Sequence, residues 1–393
     1  MNLNFNILNF FHDSKVNTFR IFLITILLSL TFATIPIGKY FFYLSFSRIS
    51  ILILVLLSLR NFSKIFRIEK VLIYVVLVIL FFLIGILSSY INSDIFFPKY
   101  ILKWIAALFS ALMISTIFQN FDHNDILKYK IVMVSFIIGG IIHIAYTLIF
   151  EKYFLDLIAN IFFNLENSPR ASSMASGPNI LGMFGSLLVS LIYVKRINSL
   201  KLFQIILLIS SIIIFISGSK FNALLFLLIL ASSFFVYKEF RQFSAKIFLF
   251  FFLSFLYVHR FQLLNIFSYP KNVDSLNDRV IVIENILQYS NPESNNWLHI
   301  FLGVGPHKAH DVISYGHAHN WFFDLYLNVG ILGLLIFIFI LLYFYLSQKK
   351  GGINYLFPVT ILLLSNLMSG SFGSSSISYL IVLFALSFRI NNT

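Results

Sequence analysis

Histidine, glycine and asparagine crowd together at one place in this chain. The stretch runs Gly303-Val304-Gly305-Pro306-His307, then His310, His317 and His319-Asn320, and on to Gly330 and Gly333. An imidazole with an ordinary pKa near 6.5 takes up or gives a proton at neutral pH, so a histidine here is a candidate general base. From Trp321 to Leu346 the chain is apolar except at Asp324 and Asn328. That is enough to cross a bilayer, which takes about 20 residues. His319 and Asn320 therefore stand at the start of an expected membrane helix, at the border with water, with Asn320 as its cap. Gly330 follows His319 by close to three helical turns and is expected on the same face. Gly333 lies one turn further, and a Gly-x-x-Gly face admits a second helix closely.

Two more apolar runs begin at polar motifs. One follows Arg170-Ala-Ser-Ser-Met-Ala-Ser-Gly-Pro-Asn179, with Pro178 at the first helical position and Gly177 or Ser176 as cap. The other follows Ser217-Gly218-Ser219-Lys220. Helix N-termini carry unpaired N–H groups and a positive dipole end, which favour an anion. Arg170 and Lys220 accompany two of these starts, and Arg279 stands in Asn277-Asp278-Arg279 before the amphipathic stretch Val280–Leu287. The chemistry expected is binding of a phosphate or pyrophosphate. Each residue also has a plainer role. Arg170 can snorkel or pair with Glu166, Arg279 can pair with Asp278, Lys220 can anchor the membrane edge, and His143, inside an apolar run, can simply be packed. The four histidines could be read as a zinc site, but they lie in a loop without regular ligand spacing, so no metal is assigned.

The composition says what must position these residues. The chain has 393 residues, of which 59% are hydrophobic and 11% charged. Its mean hydropathy is +0.91. That is too little charge for the surface of a soluble protein of this length, so the chain is expected to be an all-α, polytopic membrane bundle forming a single domain over 1–393. No cysteine is present, which excludes disulfides and thiolate metal sites. The net charge of +13 is scattered in short clusters between apolar runs, as topology determinants are, and no nucleic-acid partner is expected. Apolar runs at 20–38, 41–59, 71–90, 100–118, 131–150, 178–194, 202–217, 221–237, 247–258, 322–346, 353–369 and 377–388 predict about twelve helices. With the N-terminus in the cytoplasm, the dense basic clusters (Arg60 to Lys70, Lys128 and Lys130, Lys195 to Lys201, Lys238 to Lys246, Lys349 and Lys350, Arg389) all fall on the cytoplasmic side. Both termini are then inside. The long loops 151–177 and 259–320 lie outside, which is the periplasm in a bacterium with two membranes.

Residues 160–333 together resemble the Wzy/WaaL superfamily of integral-membrane O-antigen polymerases and ligases. The matching pieces are Arg170 with Gly177-Pro178-Asn179, the turn Ser217 to Lys220, Asn277-Asp278-Arg279, Gly303-Val304-Gly305, and His319-Asn320 with nine residues before Gly330-Ile331-Leu332-Gly333. One departure is Lys220, where the family more often has arginine; a lysine makes no two-pronged phosphate contact. The resemblance implies a glycan carried on undecaprenyl pyrophosphate, presented at the periplasmic face of the inner membrane. An acceptor hydroxyl attacks the anomeric carbon and undecaprenyl pyrophosphate departs. On this reading Arg170 and Arg279 hold the pyrophosphate and His319 is the base. Lys220, Asn320, Asn179 and His317 contribute to substrate binding. No cofactor is needed, because the lipid pyrophosphate is already an activated leaving group. The partners implied are the lipid-linked oligosaccharide, the lipid bilayer, and a chain-length regulator and flippase of the same pathway. The leading expectation is the polymerase. The alternatives are a ligase that passes the glycan to lipid A-core or to protein, and, from another class, a polysaccharide transporter or flippase. That last reading asks for charged residues along the helices, which are nearly charge-free.

Overall fold

A computed structural model describes residues 18–33, 45–59, 69–92, 97–119, 125–151, 157, 170–175, 177–194, 199–258, 270–291, 297–305, 312, 320–347 and 356–367. They form an all-helical protein. In chain order the helices are α1 (Thr18–Leu30), α2 (Phe46–Ser58), α3 (Glu69–Ile91), α4 (Phe97–Gln119), α5 (Asp125–Phe150), α6 (Pro178–Ser190), α7 (Leu200–Ser217), α8 (Lys220–Val236), α9 (Arg241–Val258), α10 (Pro270–Tyr289), α11 (Trp297–Leu302), α12 (Trp321–Ser347) and α13 (Leu356–Leu367). Eleven of the expected apolar runs are helices, and the run at 377–388 lies outside the described residues. The short runs 202–217 and 247–258 prove substantial. The first is α7, and the second extends back through Lys238–Phe240 and Arg241 to give an apolar stretch of 21 residues. Its charged first turns concealed it, since Arg and Lys stems lie along apolar surface while their heads reach water.

Among the described residues, five stretches are long and apolar enough to span a bilayer: Leu72–Ile91, Leu127–Phe150, Leu200–Ser217, Lys238–Val258 and Trp321–Tyr343. Large apolar side chains stay exposed along α3 (Leu72, Val76, Ile79, Leu83, Leu87) and α9 (Leu249, Phe250, Leu253). Lipid accepts such a surface and water does not. Several hydroxyls buried in the helices bond back to their own backbone. Thr25, Ser29 and Ser135 donate to the carbonyls of Ile21, Thr25 and Ile131. Ser115 and Ser190 do the same to Leu112 and Leu187. No hydroxyl among these is left for solvent to satisfy.

The chain divides into two compact units. The first comprises 1–57, 120–264 and 351–362, and its centre is the packing of α5, α6 and α7. Glycines set the separations. A Cβ on Gly140 would lie 2.6 Å from Ile209, one on Gly185 would lie 2.6 Å from Ile214, and one on Gly139 would lie 2.8 Å from the Phe32 ring. Small residues let helix backbones approach where no hydrophobic driving force separates helix from lipid. Gly185→Val should therefore cost about 1–3 kcal/mol by overpacking. A melting curve of the purified protein in detergent checks this, and an unchanged midpoint would contradict it.

The second unit comprises 58–119, 265–350 and 363–393, and holds α3, α4, α10, α11 and α12. Among the described residues, the expected outer loop 259–320 contains the two helices α10 and α11. Arg279 lies within α10, not in a loop ahead of an amphipathic stretch. The stripe of α10 buried at Val282, Ile286 and Tyr289 packs on Val304 and Leu327. The sequence of this segment resembles a loop because α10 carries polar residues throughout its first half and lacks the continuous apolar run of a membrane helix.

Candidate functional site

In the first unit, α6 starts as the sequence predicts. Pro178 is the first helical residue and Gly177 the extended cap, with φ 174°. Helix α7 stops at Gly218, whose left-handed φ of 58° closes the helix. Ser219 then precedes α8, which Lys220 opens. So α7 and α8 join through the two residues Gly218 and Ser219, and Gly182 of α6 fits over this turn. A Cβ on Gly182 would lie 2.7 Å from Ser219 and 2.9 Å from the Ser217 hydroxyl.

Arg170 is fastened to the same place. Its Nη2 donates to Asn179 Oδ1 at 2.8 Å, and its Nε donates to the Ser217 carbonyl at 3.4 Å. The next residue, Ala171, donates its N–H to the Ile216 carbonyl at 2.8 Å. Asn222 of α8 completes the cluster, donating to the Asn179 carbonyl at 3.2 Å and to Ser219 Oγ at 2.9 Å. The structure thus unites three predicted residues, Arg170, Asn179 and Lys220, at the starts of α6 and α8. Glu166, the alternative partner of Arg170, lies outside the described residues.

The electrostatics favour an anion. Arg170 is exposed overall. Even so, desolvation by its surroundings lowers its pKa from the ordinary value. A guanidinium remains charged regardless. Burial, and secondarily the positive charge of Arg170, lower the Lys220 ammonium from its usual range. Two cations that disfavour one another are relieved by an anion placed between them. A guanidinium has five N–H donors, of which the two bonds above use one each, so donors remain for a ligand.

In the second unit, α12 begins at Trp321, and Asn320 is its cap. Asn320 Oδ1 accepts from the N–H groups of Phe322 at 2.8 Å and Phe323 at 3.3 Å. The carboxamide oxygen of this predicted substrate ligand is thus engaged in capping. Gly330 breaks the helix, with φ 67° and ψ −172°. The helical register expected between Gly330 and Gly333 is interrupted by that break, and His319 lies outside the described residues. Nearest to Gly330 is the backbone at Phe301 and Leu302, at the end of α11, while a Cβ on Gly333 would lie 3.6 Å from Ile84 of the long helix α3. In return, a Cβ on Gly303 would lie 2.6 Å from backbone atoms of Asn328, Val329 and Gly330. The polar groups freed by the break find substitutes. Leu327 O accepts from Val304 N–H at 2.8 Å and Asn328 O from Ser88 Oγ at 3.0 Å. Asn92 Nδ2 donates to Gly303 O at 2.9 Å.

Arg279 lies in α10, seven residues before Ile286. Its side chain is outside what the structure describes, as are His317, His319, His307 and His310 altogether. Among the described residues, no three His, Cys, Asp or Glu are grouped to hold a metal ion. Sequence reasoning passed over Ser88, Asn92 and Asn222. Their only signal is a polar residue within or at the end of an apolar run, which a packed helix contact produces just as well.

No protein-family model matches this chain, and no curated protein matches it.

Proposed function

We propose that this chain is a glycosyltransferase of the inner membrane that joins oligosaccharide repeat units carried on undecaprenyl pyrophosphate, as an O-antigen polymerase does. The observation that carries the reading is the cation pair at the starts of two helices. Arg170 is held by Asn179 and the end of α7, and Lys220 lies close enough to feel its charge. A pyrophosphate ester suits that pair. Charge-assisted, two-pronged bonds from the guanidinium would hold it and stabilise the charge that grows as it leaves.

On this reading the acceptor hydroxyl attacks the anomeric carbon of the donor glycan. The bond from that carbon to the phosphate oxygen breaks, and undecaprenyl pyrophosphate leaves with the electron pair. His319 takes the hydroxyl proton, and Arg279 is the second pyrophosphate ligand. His317, Asn320, Asn179 and Lys220 line the substrate path. The chain crosses the membrane twelve times with both ends in the cytoplasm, and these residues meet the periplasm. A flippase would supply the lipid-linked units and a chain-length regulator would set the extent of growth.

Purified protein given only the lipid-linked repeat unit, without nucleotide, should convert it into longer lipid-linked chains. Arg279→Ala and His319→Ala should each abolish that growth while the protein still inserts, and wild-type growth in either would sink the site assignment. Reporter fusions at residues 65 and 290 should report opposite sides of the membrane; a shared side would break the topology.

A further inference from the structure

Ser173 is the one non-glycine residue with positive φ among the described residues, at 48°. Side chains rarely adopt that conformation, and it persists where surroundings over-determine it. The surroundings here are specific. Ser173 Oγ donates to the main-chain carbonyl of His143 at 2.8 Å and lies 3.1 Å from His143 Nδ1. With the hydroxyl proton committed to the carbonyl, Nδ1–H is the donor in the second contact. Both residues are buried, at 1% exposure for His143 and 2% for Ser173. The imidazole packs on the Phe184 ring at 5.0 Å.

We infer that His143 is a positioning residue for Arg170, holding Ser173 in its left-handed conformation and thereby fixing the Arg170–Ala175 segment against α6 and α7. The inference rests on the reading of Arg170 as an anion ligand. His143 itself touches no substrate. The segment is fastened at four points. Helix α5 holds it through His143, and again through Glu151, whose carboxylate accepts the backbone N–H groups of Ser172 and Ser173. Helix α7 holds it through the bond from Ala171 N–H to Ile216 O. Helix α6 holds it through the bond from Arg170 to Asn179. The His143 fastening holds the strained residue by its side chain, whereas Glu151 takes only its backbone N–H. Without it, Ser173 can relax to an ordinary φ, and a rotation at that residue swings the chain three positions from the guanidinium. A histidine in an apolar span with both ring and carbonyl given to one loop serine is poorly explained as filler. Phe184 packs on it, and an apolar side chain would pack there without a desolvation cost.

The test is a double-mutant cycle on ligand binding, with the full-length protein in detergent and farnesyl pyrophosphate as the probe. Arg170→Ala should weaken binding about tenfold or more, as loss of charge-assisted bonds does. His143→Ala and Ser173→Ala should each weaken it about tenfold. The decisive result is that His143→Ala causes no further loss once Arg170 is alanine. His143→Asn, which keeps an N–H donor near the Nδ1 position, should restore part of the affinity. Should His143→Ala fail to fold, Ser173→Gly removes the hydroxyl while easing the backbone, and the same non-additivity with Arg170→Ala is expected. Additive losses would overturn the positioning role while leaving the anion site standing. Failure of the wild-type protein to bind the probe would overturn the anion site and this inference with it.

Discussion

Replacing Gly330 by alanine is expected to cost roughly 3–5 kcal/mol and to remove most folded protein from the membrane. Two independent terms add. Gly330 has φ 67° and ψ −172°, a conformation essentially restricted to glycine. Its missing Cβ would also press into the Phe301 carbonyl, which is backbone and cannot rotate away. Gly303→Ala should behave alike, since Gly303 has φ 80° and its Cβ would meet three backbone atoms at 2.6 Å. The two glycines form one joint in which the end of α11 seats in the break of α12. Either substitution opens it and exposes the Leu327 and Asn328 carbonyls that Val304 and Ser88 now satisfy. Gly177→Ala is the control: nothing lies within 4 Å of its Cβ and its φ is extended, so stability should stay within about 0.5 kcal/mol. Melting in detergent reads all three. A stable Gly330→Ala protein would mean that α12 runs unbroken.

Arg170→Lys is expected to lower the rate of glycan transfer about 100-fold or more, close to the effect of Arg170→Ala. Lysine keeps the charge but loses the planar fork. It cannot donate at once to Asn179, to the end of α7 and to a departing pyrophosphate. The stability cost is expected near 1 kcal/mol, the worth of an ordinary hydrogen bond. Rate and stability therefore separate in this variant. Single-turnover transfer from a lipid-linked donor measures the first, and a melting curve the second. Wild-type transfer by the lysine variant would mean that Arg170 acts as a point charge or as a cap for α7 alone.

Much of the architecture was legible because it follows from one solvent. Lipid admits only backbone that satisfies itself, so continuous apolar runs become helices, and Pro178, Gly218 and Asn320 mark their ends in the usual ways. The polar helix α10 obeys a different signal. Val282, Ile286 and Tyr289 are too sparse in its sequence to stand out, and their helix is stabilised by what packs on them. The break at Gly330 was hidden for a related reason. A glycine in an apolar helix reads as a close-contact residue, and only the arrival of the Gly303 backbone turns it into a joint. In the candidate site, Arg170 and Asn179 mark one motif-bearing helix start in the sequence and Lys220 another, and the three meet in space. The serines and asparagines that bind them together do not announce themselves. Asn222 stands in an apolar run like any tolerated polar residue, yet it ties α8 to the start of α6. Ser173 looks like ordinary loop until its φ and its bonds to His143 are known.

The lipopolysaccharide gel of a strain lacking this chain tests the polymerase assignment most directly. The account predicts lipid A-core carrying a single repeat unit, because the extending step is gone while ligation continues. A normal ladder of long chains in that strain would contradict it, and bare core with long glycan accumulating on undecaprenyl pyrophosphate would move the assignment to the ligase.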